Sequence, residues 1–371
     1  MTARLKCDKI SDMANLSQIL GFTREELVHL FEEMGEAGYR GEQLFRSLHR
    51  RRIFDFSEMS DLPSQLRKKL STAVSAASLK VEAKFISKDG TRRYLMHTAD
   101  NYPVETVFIP TPRRDTICFS SQSGCPLKCD FCLTAKLGLM RNLSAAEIVE
   151  QIAIVLNDVY GPGEPTPHGT NLVAMGEGEP FLNFENLLKA IRILGDESGH
   201  FIVPNRITVS TAGIVPKIRE FASLKKRPNL AISLSAANDA LRNKLMPINR
   251  RWPLAELMSA AKEFETTLRR GEKFTFEYVL LGGVNDSYQQ ACELAGLLRK
   301  YNLHKVKVNL IPHNPAEQLP YHPSDPADVL KFKETLESFG FAAYVRRPRG
   351  RDIYAACGQL AAMEPAVMSV N

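Results

Sequence analysis

Cys125-Pro126-Leu127-Lys128-Cys129-Asp130-Phe131-Cys132 places three of the chain's seven cysteines within a single short stretch, at the spacing C-x3-C-x2-C. Thiolates are soft ligands that suit iron–sulfur clusters and zinc, and a loop this short gathers three of them at small entropic cost. Structural zinc takes four protein ligands, and no further cysteine follows at a finger-like distance. A 4Fe–4S cluster held by three cysteines leaves one iron open to a small molecule. Either way residues 125–132 form a ligand loop, and the flanking elements are the frame that holds it.

At 371 residues, 44% hydrophobic and 24% charged, the chain is sized for two or three soluble domains. Lys+Arg 48 against Asp+Glu 42 gives a net charge of +6. The basic residues cluster at 50–52, 67–69 and 346–351, which suits a phosphate-bearing partner, with solvated faces as the alternative. The first residues lack the apolar core of a signal peptide, and no apolar run approaches the ~20 residues of a membrane span. An odd, clustered set of cysteines argues against a secreted disulfide scaffold. A cytoplasmic protein without a membrane segment is expected.

Residues ~15–75 carry helical periodicity, with Thr23 and Glu26 spaced as a capping box ahead of Leu27, Leu30, Phe31 and Met34. Strands are predicted at 81–86, 92–97 and 104–109, the first two joined by a turn at Asp89-Gly90. Strands at 116–120, 171–175, 206–210, 230–234, 274–281 and 305–311 then alternate with helical patterns, the signature of βα units around a parallel sheet. The expected fold is α/β: an incomplete (β/α)6 TIM-like barrel spanning 111–345, with an N-terminal helical domain over 1–75, a small β-rich linking segment over 76–110 and a C-terminal segment over 346–371. Every unusual polar motif of the barrel falls at a strand's C-terminal end, where such folds carry their sites.

These pieces together resemble the RlmN/Cfr family of radical S-adenosylmethionine RNA methyltransferases. The most specific match is Asp352-Ile353-Tyr354-Ala355-Ala356-Cys357-Gly358-Gln359-Leu360, paired with Cys118 seven residues before the cysteine loop. The resemblance implies a radical-SAM barrel in which Cys125, Cys129 and Cys132 hold a 4Fe–4S cluster, and an N-terminal domain that engages RNA. It further implies two S-adenosylmethionine molecules per turnover. One methylates Cys357; the second yields a radical that activates that methyl group for addition to carbon 2 or carbon 8 of adenine. Cys118 then resolves the protein–RNA adduct through a disulfide with Cys357, and Glu105 is implied as proton acceptor. Gly178, Glu179, Ser210, Ser233, Leu234, Ser235 and Asn314 match the family's cofactor pocket.

Two positions depart from the family pattern. Glu177 stands where the motif usually reads Gly-Met-Gly-Glu, and Ser235 stands where a histidine is usual. Pro180 favours the RlmN branch, which acts on carbon 2 of adenosine in 23S ribosomal RNA and tRNA; the Cfr branch acts on carbon 8. A zinc-stabilised RNA-binding protein without catalysis is the alternative from another class. The expected partners are RNA and an electron donor such as a flavodoxin system, and a monomer is expected.

Overall fold

The computed structural model describes residues 18–361. Three short helices come first: α1 (Arg24–Glu33), α2 (Tyr39–Phe45) and α3 (Ser64–Ala73). The capping box at Thr23 forms. Its hydroxyl accepts from the Glu26 amide and the Glu26 carboxylate accepts from the Thr23 amide, satisfying two N–H groups that a helix start leaves open. Leu27, Phe31, Leu44 and Phe45 are buried against the rest of the core.

The basic cluster at 50–52 does not present three cations to a partner. Arg52 turns inward, its Nε donating to Asn157 Oδ1 at 2.8 Å and its Nη2 to the Gly161 and Glu164 carbonyls at 2.8 and 2.9 Å. Arg51 pairs with Asp61 at 2.5 Å, and Arg50 is the exposed member. Arg52 can give its bidentate fork to carbonyls because they lie at an otherwise open helix C-terminus.

Strands β1 (Lys80–Ile86), β2 (Arg92–His97) and β3 (Pro103–Ile109) form an antiparallel meander that pairs through β3 with β4 (Asp115–Phe119). They continue the barrel sheet itself. A small separate hairpin follows, β5 (Gln122–Gly124) with β6 (Leu139–Asn142), and α4 (Leu133–Leu137) lies between its strands. The parallel part then runs from β4 through β7 (Thr170–Ala174), β8 (Ile207–Thr211), β9 (Asn229–Ser233), β10 (Phe274–Leu280) and β11 (Val306–Pro312). A strand the sequence pattern did not reveal, β12 (Ala342–Val345), pairs with β11 and ends the sheet. Edge strands β1 and β12 do not meet, so the barrel is incomplete.

Alternation along the strands explains both faces of this sheet. Phe274, Phe276, Tyr278 and Leu280 of β10, and Val306, Val308 and Leu310 of β11, point outward into the main core with the helices. The intervening Thr275, Glu277, Lys307 and Asn309, with Asn171, Val173 and Thr208, line a cavity of about 760 Å³. A closed TIM barrel fills this space with branched apolar side chains; here polar residues keep it hollow. Among the described residues no helix is long and apolar enough to cross a membrane.

Candidate active site

The cysteine loop hangs between β5 and β6 and is closed by a glycine. Gly124 takes φ +70°, and a Cβ there would lie 1.9 Å from the Gly138 carbonyl oxygen. That close approach lets the Cys125 amide donate to Gly138 at 2.9 Å. Farther along, the Asp130 amide donates to the Leu245 carbonyl at 3.0 Å, the Tyr321 hydroxyl donates to Asp130 at 2.5 Å, and Cys132 opens α4. Burial pushes the Cys125 thiol up to about 12, raises Cys129 well above the usual thiol range and raises Cys132. Thiols in such a place become ligands when a metal cation draws off their protons.

Among the described residues no three His, Cys, Asp or Glu side chains converge closely enough to hold a lone metal ion. Three loop thiols without a fourth protein donor among the described residues do not complete a structural zinc site, but they match a 4Fe–4S cluster that takes one cysteine per iron at three corners.

Arg242, which the sequence reading passed over, backs this loop. It is buried and donates to the carbonyls of Ala212 (2.7 Å), Ser233 (2.9 Å) and Leu234 (3.1 Å) and to Asn249 Oδ1 (2.9 Å). One guanidinium thereby ties together the loops after β8 and β9. Burial lowers it to about 10, while the nearby Cys129 opposes that fall.

Cys118 and Cys357, 239 positions apart in sequence, are brought together. Cys118 sits within β4 on the inward face, packed with Val107, Ile353, Ala355 and Leu360. The segment carrying Cys357 is tied down on two sides. Asn314 Nδ2 donates to the Cys357 carbonyl at 3.0 Å, the Leu133 amide to Gly358 at 2.9 Å, and the Thr134 hydroxyl to Leu360 at 2.6 Å. Burial pushes the Cys118 thiol up to about 12; the neighbouring Cys357 adds to this and Arg346 opposes it. Arg346 is itself raised, chiefly by Cys357, with Glu277 and Cys118 contributing. Residues 346–351 therefore do not present one continuous cationic face. Arg346 turns toward the two thiols, Arg349 lies 3.7 Å from Asp89, Arg351 donates to Asn314 Oδ1 at 2.8 Å, and Arg347 is exposed.

Glu105 lies on β3 two residues from Val107, which pairs with Cys118 across the ladder, so it shares the inward face with that thiol. Its carboxylate pairs with Arg93 at 2.7 Å, and both side chains are fully buried.

The residues matched to a cofactor pocket fall at the ends of β7 to β11, although several are engaged within the protein. Gly178 takes φ +95° against Gln122, whose Oε1 accepts from the Glu179 amide at 2.8 Å. The Glu179 carboxylate accepts from the amides of Phe181 (3.0 Å) and Ala212 (2.7 Å), and burial pushes it up to about 7. Ser210 and Ser233 are half-buried on strands. Leu234 is buried and gives its carbonyl to Arg242. Ser235 adopts φ +53°, and its carbonyl accepts from Asn285 at 2.8 Å. Asn314 has both ends of its amide in use, on Cys357 and Arg351. His313 is a buried loop neighbour lowered to about 4 by burial. Cys292 is half-buried, and Cys7 lies outside the described residues.

The sequence matches the model of the ribosomal RNA large subunit methyltransferase N-terminal domain over residues 17–75 and that of the radical SAM superfamily over 119–295. It is 47% identical over 354 residues to a probable dual-specificity RNA methyltransferase RlmN of Koribacter versatilis, covering 91% of this chain and 100% of that one. A dual-specificity RNA methyltransferase RlmN of Anaeromyxobacter sp. is 45% identical, covering 91% and 89%. A crystal structure of a radical SAM methyltransferase from Sphaerobacter thermophilus superposes with a TM-score of 0.88 at 39% identity, covering 94% of this chain and 100% of that one. The catalytically inert zinc protein is thereby set aside, and the chain belongs to the RlmN family of radical S-adenosylmethionine RNA methyltransferases.

Proposed function

We propose that this enzyme methylates carbon 2 of adenosine in 23S ribosomal RNA and tRNA, with Cys357 as methyl carrier and Cys118 as resolving thiol. The RlmN names of its relatives, with their dual specificity, support the carbon-2 product and the two RNA types. Cys125, Cys129 and Cys132 would hold a 4Fe–4S cluster which, when bound, supplies the electron that splits S-adenosylmethionine and so furnishes the radical that takes a hydrogen from the methyl group on Cys357. The remaining steps belong to the chain's own residues. The Cys357 sulfur takes a methyl group from one S-adenosylmethionine and becomes a thioether; a second S-adenosylmethionine is the radical source. After the carbon joins the base, the RNA is bonded to Cys357 and the adduct carries one unpaired electron, which would return to the cluster that the three cysteines would hold. Glu105 takes the proton from the base carbon, and the Cys118 thiolate attacks the Cys357 sulfur; the S–S bond forms as the S–C bond breaks, and the departing methylene carbon takes a proton, releasing methylated RNA. Sulfur suits both roles because it is a good nucleophile and a good leaving group, and cellular thiols reverse the disulfide.

The observation that carries this reading is the convergence of Cys118, Cys357 and Arg346 beside the cavity. The cavity also offers the base a way in. Its outer rim, at the N-terminal ends of the strands, carries Arg113, Arg114, Arg206 and Lys273, and its inner end carries Glu277, Asn309, Met175 and Arg346. A basic mouth leading to a polar interior suits an adenosine splayed from its stack with its phosphates left at the rim.

The test separates the two thiols. Cys118→Ala should accumulate RNA bonded to protein, seen as a nuclease-sensitive shifted band, while Cys357→Ala should give neither adduct nor product. Methylated RNA from Cys357→Ala rejects the carrier role. Mass spectrometry of RNA digests from strains lacking and overexpressing the gene identifies the nucleoside and carbon; a carbon-8 product would move the protein to the Cfr reading.

A further inference from the structure

Parallel pairing in register sets a row of side chains across four strands of the barrel wall. Ser233 of β9 pairs with Glu277 of β10, Glu277 with Asn309 of β11, and Asn309 with Tyr344 of β12. Neighbours in register on a parallel sheet point to the same face, and Glu277, Asn309 and Tyr344 all line the cavity. The row runs from a residue matched to the cofactor pocket to an exposed aromatic ring at the sheet's edge.

Glu277 is the unusual member. It is 6% exposed, and its Oε1 accepts from Asn309 Nδ2 at 3.0 Å, whereas Oε2 has no hydrogen-bond partner among the described residues. The bond to Asn309 fixes the carboxylate, so Oε2 is a preset acceptor on the cavity wall. A buried carboxylate oxygen without a donor is costly, which calls for a donor brought by a ligand.

The rest of the cavity narrows what that donor is. Arg113, Arg114, Arg206, Lys273, Lys307 and Arg346 line it, and Glu277 is the single carboxylate among its described lining residues. A phosphate is drawn to the cations and repelled by Glu277, so the acceptor suits a neutral N–H group. Arg346 and Lys307 favour the ionised form of Glu277 without hydrogen-bonding Oε2. Arg346 also faces Cys118 and Cys357, which puts one guanidinium between Glu277 and the thiols where the base reacts. Adenine carries an amino group on carbon 6, and hypoxanthine and guanine carry an oxygen there that a carboxylate repels.

We propose that Glu277 Oε2 accepts a hydrogen bond from the 6-amino group of the target adenine, making Glu277 the residue by which this enzyme selects adenine over 6-oxo purines. This rests on adenosine entering the cavity and reacting at Cys357. No bond is made or broken at Glu277; it binds and orients the base, and Asn309 holds it in place.

The experiment uses the holoenzyme and three RNAs that differ only at the target nucleoside: adenosine, inosine and purine riboside. Inosine has an oxygen in place of the amine and purine riboside a hydrogen; both keep the hydrogens on carbons 2 and 8. The wild type should use purine-riboside RNA about tenfold and inosine RNA about a hundredfold less efficiently than adenosine RNA. Equilibrium binding of the same RNAs without reductant should follow the same order. In Glu277→Gln, Asn309 holds the amide oxygen and the amide nitrogen faces the base, so the preference for adenosine over inosine should fall about tenfold or more. Glu277→Met, which offers no acceptor, should treat adenosine and purine riboside alike. Ratios taken between enzymes cancel the intrinsic reactivity of the bases, and the wild-type series needs no variant to fold. An unchanged adenosine-to-inosine ratio in Glu277→Gln, or equal binding and use of adenosine and purine riboside by the wild type, overturns the proposal. Loss of S-adenosylmethionine binding by Glu277→Gln without RNA, with the base ratios unchanged, assigns the carboxylate to the cofactor and overturns it too. A carbon-8 product, or methylation by Cys357→Ala, would instead reject the proposed function, while the base ratios would still decide the role of Glu277.

Discussion

The Asn314 side-chain amide donates to the Cys357 carbonyl at 3.0 Å and accepts from Arg351 Nε at 2.8 Å, so the end of β11 holds the C-terminal loop in place. An asparagine expected to touch the cofactor is therefore also a strut for the methyl-accepting cysteine. Asn314→Ala should loosen that loop and lower methylated RNA about tenfold or more, since small misplacements of a reacting group are costly. 5′-Deoxyadenosine should still form, so the ratio of deoxyadenosine to methylated RNA rises. Weakened S-adenosylmethionine binding with an unchanged ratio would instead favour direct cofactor contact.

Replacing any ligand thiol should remove the metal. Cys125→Ala, Cys129→Ala and Cys132→Ala are each expected to lose most iron and all cleavage of S-adenosylmethionine, because two thiolates cannot retain the site. Anaerobic purification with iron and sulfide analysis checks this, and full activity in any one of the three contradicts the ligand assignment.

Arg346 opposes the burial that raises the Cys118 thiol. Arg346→Met should therefore leave less thiolate available to resolve the adduct. The protein–RNA adduct is expected to persist about tenfold longer at neutral pH, with partial recovery as pH rises. An unchanged adduct lifetime would remove Arg346 from the resolving step.

The outer rim of the cavity is the better target for charge reversal than residues 346–351 taken together. Arg113→Glu with Arg114→Glu should weaken RNA binding and flatten its salt dependence, each lost phosphate contact reducing the log–log slope by about 0.7–0.9. Binding titrations at several salt concentrations test this. The same reversal at Arg347 alone is the comparison, and equal effects at both places would argue against the rim as the entry.

Stability should fall as pH rises from mildly acid to neutral. Glu150, in the helix Ala145–Tyr160, accepts from the amides of Ser78 and Leu79, yet burial pushes it up to about 7. A carboxyl raised in the fold binds a proton there that the unfolded chain has already released. Its contribution is thus complete below about 4.5 and is lost by about 7. The difference between about 7 and 4.5 corresponds to about 3 kcal/mol for a group this buried. Urea unfolding of the metal-free protein against pH should show part of this slope, and Glu150→Gln should flatten it.

The parallel strands were legible because inward polar and outward apolar residues alternate along them, as Thr275 and Glu277 do between Phe274, Phe276 and Tyr278. The short β12, Ala342–Val345, has too few residues for a period to show. Three cysteines at ligand spacing declared a metal loop from local sequence alone, and the paired Cys118 and Cys357 were visible only through resemblance to a family.

What local sequence determined, then, was periodicity, caps and ligand spacing, because each depends on residues a few positions apart. What the tertiary structure alone decided was the partner of each polar side chain. Arg52 faces carbonyls more than a hundred residues away instead of RNA, Arg346 faces two thiols, and Arg242 gathers loops from neighbouring strands. Glu177 looked like a surplus charge in a glycine-rich turn until the fold buried it beside Glu105. The reason is electrostatic: a charge's effect depends on its distance from other charges and from water, and both are set by contacts far apart in the chain.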